Sequence, residues 1–199
     1  MKKTFLFLAT ILAIANLNAI EPFKSGRYVT LQGGGNYKTT QLAHNERVIT
    51  NFGGIASTSI GVRNKVNTRY EFEFAYRYNT LYNYRHQSIS GHVSTQAYMV
   101  NLIYDFPTVY FLKPYIGFGG GYARQLFNGK LKQPIDNRLH LNKHTNTFAW
   151  QGIAGFACPL DALDDFGCDI ESTVEYKFFN PRIKSSNDQS ITLGLRTYF

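Results

Sequence analysis

The chain has 199 residues, of which 44% are hydrophobic, 16% aromatic and only 17% charged, a balance that excludes a disordered chain and suits one domain rather than two. Past residue 19 no apolar run approaches the roughly 20 residues that a spanning helix needs, so a helical membrane protein is excluded. Two cysteines are too few for a disulfide framework or a structural zinc site, and the formal charge of +8 makes the chain basic.

Met1-Lys2-Lys3 is a short basic start, Phe5 to Ala15 is an apolar run broken only by Thr10, and Leu17-Asn18-Ala19 offers a small residue for cleavage. This three-part layout predicts a secretory signal peptide over residues 1–19, with Ala13-Ile14-Ala15 as a rival site, and an exported domain over 20–199. The domain then meets an oxidising compartment.

Beyond the leader the recurring pattern is alternation. Segments 28–37, 52–63, 69–78, 94–106, 114–125, 147–157, 169–179 and 188–199 each read as a strand whose side chains point to two sides in turn. The third is the clearest, with Tyr70, Phe72, Phe74, Tyr76 and Tyr78 on one face and Glu71, Glu73, Ala75 and Arg77 on the other. Segments 38–51, 79–93, 126–146 and 180–187 read as mostly long polar loops, whereas 64–68, 107–113 and 158–168 read as shorter turns. Eight strands with loops on one side and turns on the other predict an all-β, eight-stranded antiparallel up-and-down barrel.

Which face carries charge decides the solvent. One register runs through Leu31, Ile60, Phe72, Phe74, Leu102, Phe118, Trp150, Val174 and Leu193 and, followed as far as Tyr122 in the fifth segment, holds no Asp, Glu, Lys or Arg. The opposite register holds Arg63, Glu71, Glu73, Arg77, Asp105, Asp169, Glu171, Glu175, Lys177 and Arg196. An eight-stranded barrel has room inside for little more than one layer of side chains, so the aromatic set does not fit within it. A soluble, lipocalin-like barrel is the rival arrangement. The favoured one is a transmembrane barrel with aromatics toward lipid and the charges toward the lumen, where they pair as a plug.

Three pieces then resemble the OmpA/OmpX-type and opacity-type outer-membrane β-barrel family: Lys113-Pro-Tyr-Ile-Gly-Phe-Gly-Gly-Gly-Tyr-Ala123, Phe148-Ala-Trp-Gln-Gly-Ile-Ala-Gly-Phe156 with Ile170-Glu-Ser-Thr-Val-Glu-Tyr-Lys-Phe178, and the terminal Ile191-Thr-Leu-Gly-Leu-Arg-Thr-Tyr-Phe199. Thr197 departs from the aromatic residue more usual there. The resemblance implies residence in a Gram-negative outer membrane, contact with its lipid and lipopolysaccharide, and Phe199 as the signal read by the barrel-assembly machinery. It also implies a range of roles, from adhesion to host surface molecules and immune exposure as a surface antigen to plain envelope structure.

Cys158 and Cys168 flank one turn and suit a disulfide, against a free or intermolecular pair. His140 and His144 lie in a predicted loop, so no metal site is expected, and no cofactor. His86-Gln-Ser88 and His92-Val-Ser94 have a base and a nucleophile but no acid partner, so a lipid-modifying enzyme is the lesser alternative and no catalytic residue is expected. A small porin-like channel is the other alternative. Lys130, Lys132, Arg138, Lys143, Arg182 and Lys184, with Lys38, Arg47 and Arg85, set against Glu46, Asp136 and Asp188, make the predicted outer rim positive, suited to lipopolysaccharide phosphates or acidic glycans. Nucleic acid does not fit the compartment, and the barrel is expected to be a monomer.

Overall fold

The computed structural model describes residues 26–42, 46–50, 52–83, 89–131, 139–160, 169–182 and 186–199. The expected leader, residues 1–19, lies outside them. Among the described residues nine strands form one antiparallel sheet: β1 (Gly26–Leu42), β2 (Glu46–Thr50), β3 (Gly53–Arg63), β4 (Thr68–Asn83), β5 (Ile89–Asp105), β6 (Lys113–Leu131), β7 (Leu139–Pro159), β8 (Ile170–Pro181) and β9 (Ser186–Tyr198). β2 pairs with β1 and, across a register shift, with β4, so β2 and β3 are two parts of one stave and the sheet has eight staves. β9 returns to β1 from Tyr28↔Tyr198 to Thr40↔Ser186 and closes the barrel. Closure pairs the backbone of both edge strands, the condition for sitting in hydrocarbon.

The two faces separate as the alternation predicts. Phe72 is 50% exposed, Leu102 52% and Leu193 63%, and none of the outward side chains named above is buried. Glu73, Asp105 and Lys177 are each 1% exposed and Arg77 and Arg196 fully buried. The fold is therefore apolar outside and ionic inside, the reverse of a soluble barrel. On β4, β7 and β8 the outward band runs from Tyr70 to Tyr78, Phe148 to Phe156 and Ile170 to Phe178. Eight residues along a strand is about 26 Å, and a tilt of roughly 40° reduces this to about 20 Å, close to the ~25 Å apolar belt of outer-membrane barrels. Beyond the band the outward register turns polar at Thr80, Gln96, Arg124, Asn146, Asn180 and Gln189.

The loops differ from expectation. Segments 79–93 and 126–146 are largely strand, because β5, β6 and β7 continue past the belt to Ile89, Leu131 and Leu139. Segment 38–51 is largely the β1–β2 hairpin. Past the hydrocarbon nothing imposes an apolar outward face, so the ladder persists where the alternation that signals it is gone. β8 follows β7 only as far as Ala149↔Pro181, so the β6–β7 hairpin rises above its neighbour on that side.

Candidate functional site

The lumen is the most elaborate polar construction among the described residues. Near the turn end, Asp105 on β5 accepts Arg63 Nε at 3.0 Å on Oδ2 and Arg69 Nε at 3.0 Å on Oδ1. Glu171 on β8 gathers Lys113 Nζ at 3.0 Å, an Arg196 nitrogen at 3.2 Å and the Tyr198 hydroxyl at 3.0 Å, with Arg63 at 3.6 Å. Arg69 lies 4.6 Å from the Tyr115 ring centre, and Arg196 lies 5.3 Å and 5.4 Å from those of Tyr28 and Tyr115. Charge-assisted bonds and ring faces together compensate cations that have lost their water.

At mid-lumen Glu73 is the hub. It accepts Lys177 Nζ at 2.5 Å, Gln151 Nε2 at 2.6 Å and Asn101 Nδ2 at 2.9 Å. Glu175 accepts the Tyr115 hydroxyl at 2.7 Å and lies 3.3 Å from Lys177, while Glu71 accepts the Tyr28 hydroxyl at 3.0 Å. The strands make room for these groups with glycine. A Cβ on Gly61 would meet the Tyr28 ring at 2.4 Å, and one on Gly155 would meet the Tyr115 ring at 2.8 Å. Each tyrosine lies across a bare stretch of neighbouring backbone.

Toward the loop end the lumen changes character. Phe179 packs with Ala97, Met99, Ala123 and Ala149, and the Arg77 guanidinium lies 4.1 Å over the Phe179 ring without a hydrogen bond. Above it Lys38 pairs with Asp188 at 3.3 Å, both 1% exposed. Lys38 and Asp188 were expected on the outer rim, and both are lumen residues. β1 extends past Tyr37, so Lys38 keeps the inward register, and pairing with β1 draws Asp188 inside.

All of Arg63, Glu71, Glu73, Arg77, Asp105, Glu171, Glu175, Lys177 and Arg196 are buried in the lumen, as the register predicts, whereas Asp169 is only half-buried. Sequence reasoning missed Arg69, Lys113, Tyr28, Tyr115, Asn101 and Gln151. Each obeys the inward register of its strand, so carrying the register one residue further and counting neutral polar groups would have found them.

On the rim, Lys130 (opposite His140) and Lys143 (opposite Phe127) stand on the raised β6–β7 ladder. Arg182 is exposed at the end of β8, its backbone N–H bonded to Phe148 O at 3.0 Å. Lys132, Arg138 and Lys184 lie outside the described residues. Cys158 has no disulfide partner among the described residues, its Sγ lying 3.6 Å from Pro159 O, and Cys168 is outside the described residues, so the bridge between them is not shown. His92 bonds Asn128 at 3.1 Å and stacks on Tyr78, and Ser94 is buried; His86 and Ser88 lie outside the described residues. Among the described residues no three His, Cys, Asp or Glu side chains converge in a way that would hold a metal. Phe199 is 70% exposed, its N–H bonded to Arg27 O at 3.0 Å.

No protein-family model matches the chain. A curated outer membrane protein of Gluconacetobacter diazotrophicus is 28% identical over 88% of this chain, which spans about half (52%) of that protein's length. Among solved structures, Neisserial surface protein A is similar at TM-score 0.57 and 16% identity, over 88% of this chain and 98% of the other. Ail, the attachment invasion locus protein of Yersinia pestis, gives 0.52 and 10%, over 88% and 100%. OprG of Pseudomonas aeruginosa gives 0.51 and 12%, over 88% and 97%. At such identities the likeness establishes the fold, which is that of the eight-stranded outer-membrane barrels.

Proposed function

We propose that the chain is a non-enzymatic outer-membrane barrel that works at the cell surface, its raised basic hairpin holding anionic groups of lipopolysaccharide or of acidic host glycans. The carrying observation is the β6–β7 ladder, which continues from Arg124↔Asn146 to Leu131↔Leu139 beyond the apolar belt and bears Lys130 and Lys143. Arg124 and Arg182 are exposed near its base. Backbone paired in a ladder is already fixed, so a cation carried on it meets phosphate or sulfate with less loss of backbone entropy than one on a loop. The filled lumen supports action at the rim rather than passage through the barrel.

The test is a variant lacking residues 128–144, reconstituted beside the full chain. The full chain should bind phosphorylated lipopolysaccharide or a polysulfated glycan, binding should weaken with salt, and the variant should lose at least ten-fold in affinity while still folding. Equal binding by both proteins would remove the hairpin from the function.

A further inference from the structure

The turn joining β5 to β6 has a composition that its backbone does not call for. Val109 and Leu112 bond each other in both directions, at 2.9 Å and 3.1 Å, and leave a two-residue tip of Tyr110 and Phe111. Tyr110 has φ of 59° and Phe111 no positive φ, the type II′ pattern, whose first central residue is normally glycine. A bulky L-residue in that conformation costs roughly 1–2 kcal/mol. The other described non-glycine residue with positive φ is Asn67 at 58°, an asparagine, for which it is ordinary. The tip side chains are also the least covered aromatics of their turn, Tyr110 at 96% and Phe111 at 65% exposure.

An aromatic pair held in a strained turn and directed away from the protein needs a surrounding that rewards it. The outward apolar face supplies continuity. Tyr104 on β5 and Phe106 just past its end, edge to face at 5.2 Å, close the lipid-facing band, and the tip begins four residues beyond Phe106. That is at most about 13 Å of extended backbone, against a headgroup layer of roughly 5–7 Å on each side of the hydrocarbon, so the tip is within reach of that layer. Lys65, exposed on the β3–β4 turn at the same end of the barrel, adds a cation suited to lipid phosphate.

We propose that the Tyr110–Phe111 tip is an interfacial anchor, seated among the headgroups of the leaflet at the turn end and fixing the depth and tilt of the barrel. Aromatic rings favour this layer, where an apolar body and a polar edge are both accommodated.

The test places tryptophan at the tip. The chain has one tryptophan, Trp150, so Trp150→Phe with Tyr110→Trp gives a single reporter in the full-length protein, read in lipid nanodiscs open to solvent on both faces. Should Trp150→Phe fold poorly, Phe111→Trp in the native background, with the parent signal subtracted, gives the same reading. The anchor predicts quenching at least three-fold stronger by lipid brominated next to the headgroup than by lipid brominated at the chain end, and iodide quenching at least three-fold weaker than that of free tryptophan amide. Iodide quenching equal to the free amide would show a tip in water and overturn the proposal. Protection from all the quenchers would also overturn it, by showing a tip folded against protein.

Discussion

The single residues that hold the lumen together are buried ions, tolerable only in company. Glu73 holds Lys177, Gln151 and Asn101 at once. Removing one partner of a buried pair costs about 3–5 kcal/mol, because the other is left without compensation. Glu73→Ala should therefore lower the urea midpoint of the folded barrel by an amount of that order. Glu73→Gln, which keeps an acceptor, should cost roughly half as much, and a Glu73→Leu, Lys177→Met double variant should recover most of the loss. Additive single effects in that cycle would show that the pair is not coupled. On the outer face Leu102→Arg should cost about 2–4 kcal/mol and reduce assembly, while Asn146→Arg beyond the belt should be near neutral. Equal membrane yields for the two would contradict the position of the belt.

At the scale of elements, alternation exposed what lay in the belt and failed beyond it. β4 was legible residue by residue because lipid and lumen impose opposite chemistry on successive side chains. The outer halves of β6 and β7 were not, since Lys130, Leu141, Asn142 and Lys143 show no alternation of apolar and polar residues although the backbone ladder continues through them. The same blindness placed Lys38 and Asp188 outside, where charge is common, although strand continuity carries them in. The turn at 107–113 was legible, but its backbone conformation was not, since nothing in Val109-Tyr110-Phe111-Leu112 signals a positive φ. If the raised hairpin is independent of the barrel, shortening it to join Arg124 to Asn146 should leave the heat-induced gel shift unchanged within a few degrees. A loss of more than about 10 °C would show that the ladder supports the barrel.

At the scale of the whole molecule, the ion plug and the Phe179 cluster close the axis by different means, one by paired charge and the other by packed apolar groups. Planar bilayers containing the protein should show no sizeable stepwise conductance, and regular steps of the size given by wide porins would contradict a filled lumen. The claim beneath all of this is inverted polarity, and the chain carries its own reporter of it. Trp150 lies on the outward register of β7, stacked on Phe118 at 6.0 Å and tilted against Phe178 at 5.5 Å. Its native fluorescence, measured in bilayers of chain-brominated lipid, should be quenched by more than half and be almost untouched by aqueous iodide. Emission insensitive to the brominated chains would place Trp150 inside the barrel and reverse the two faces.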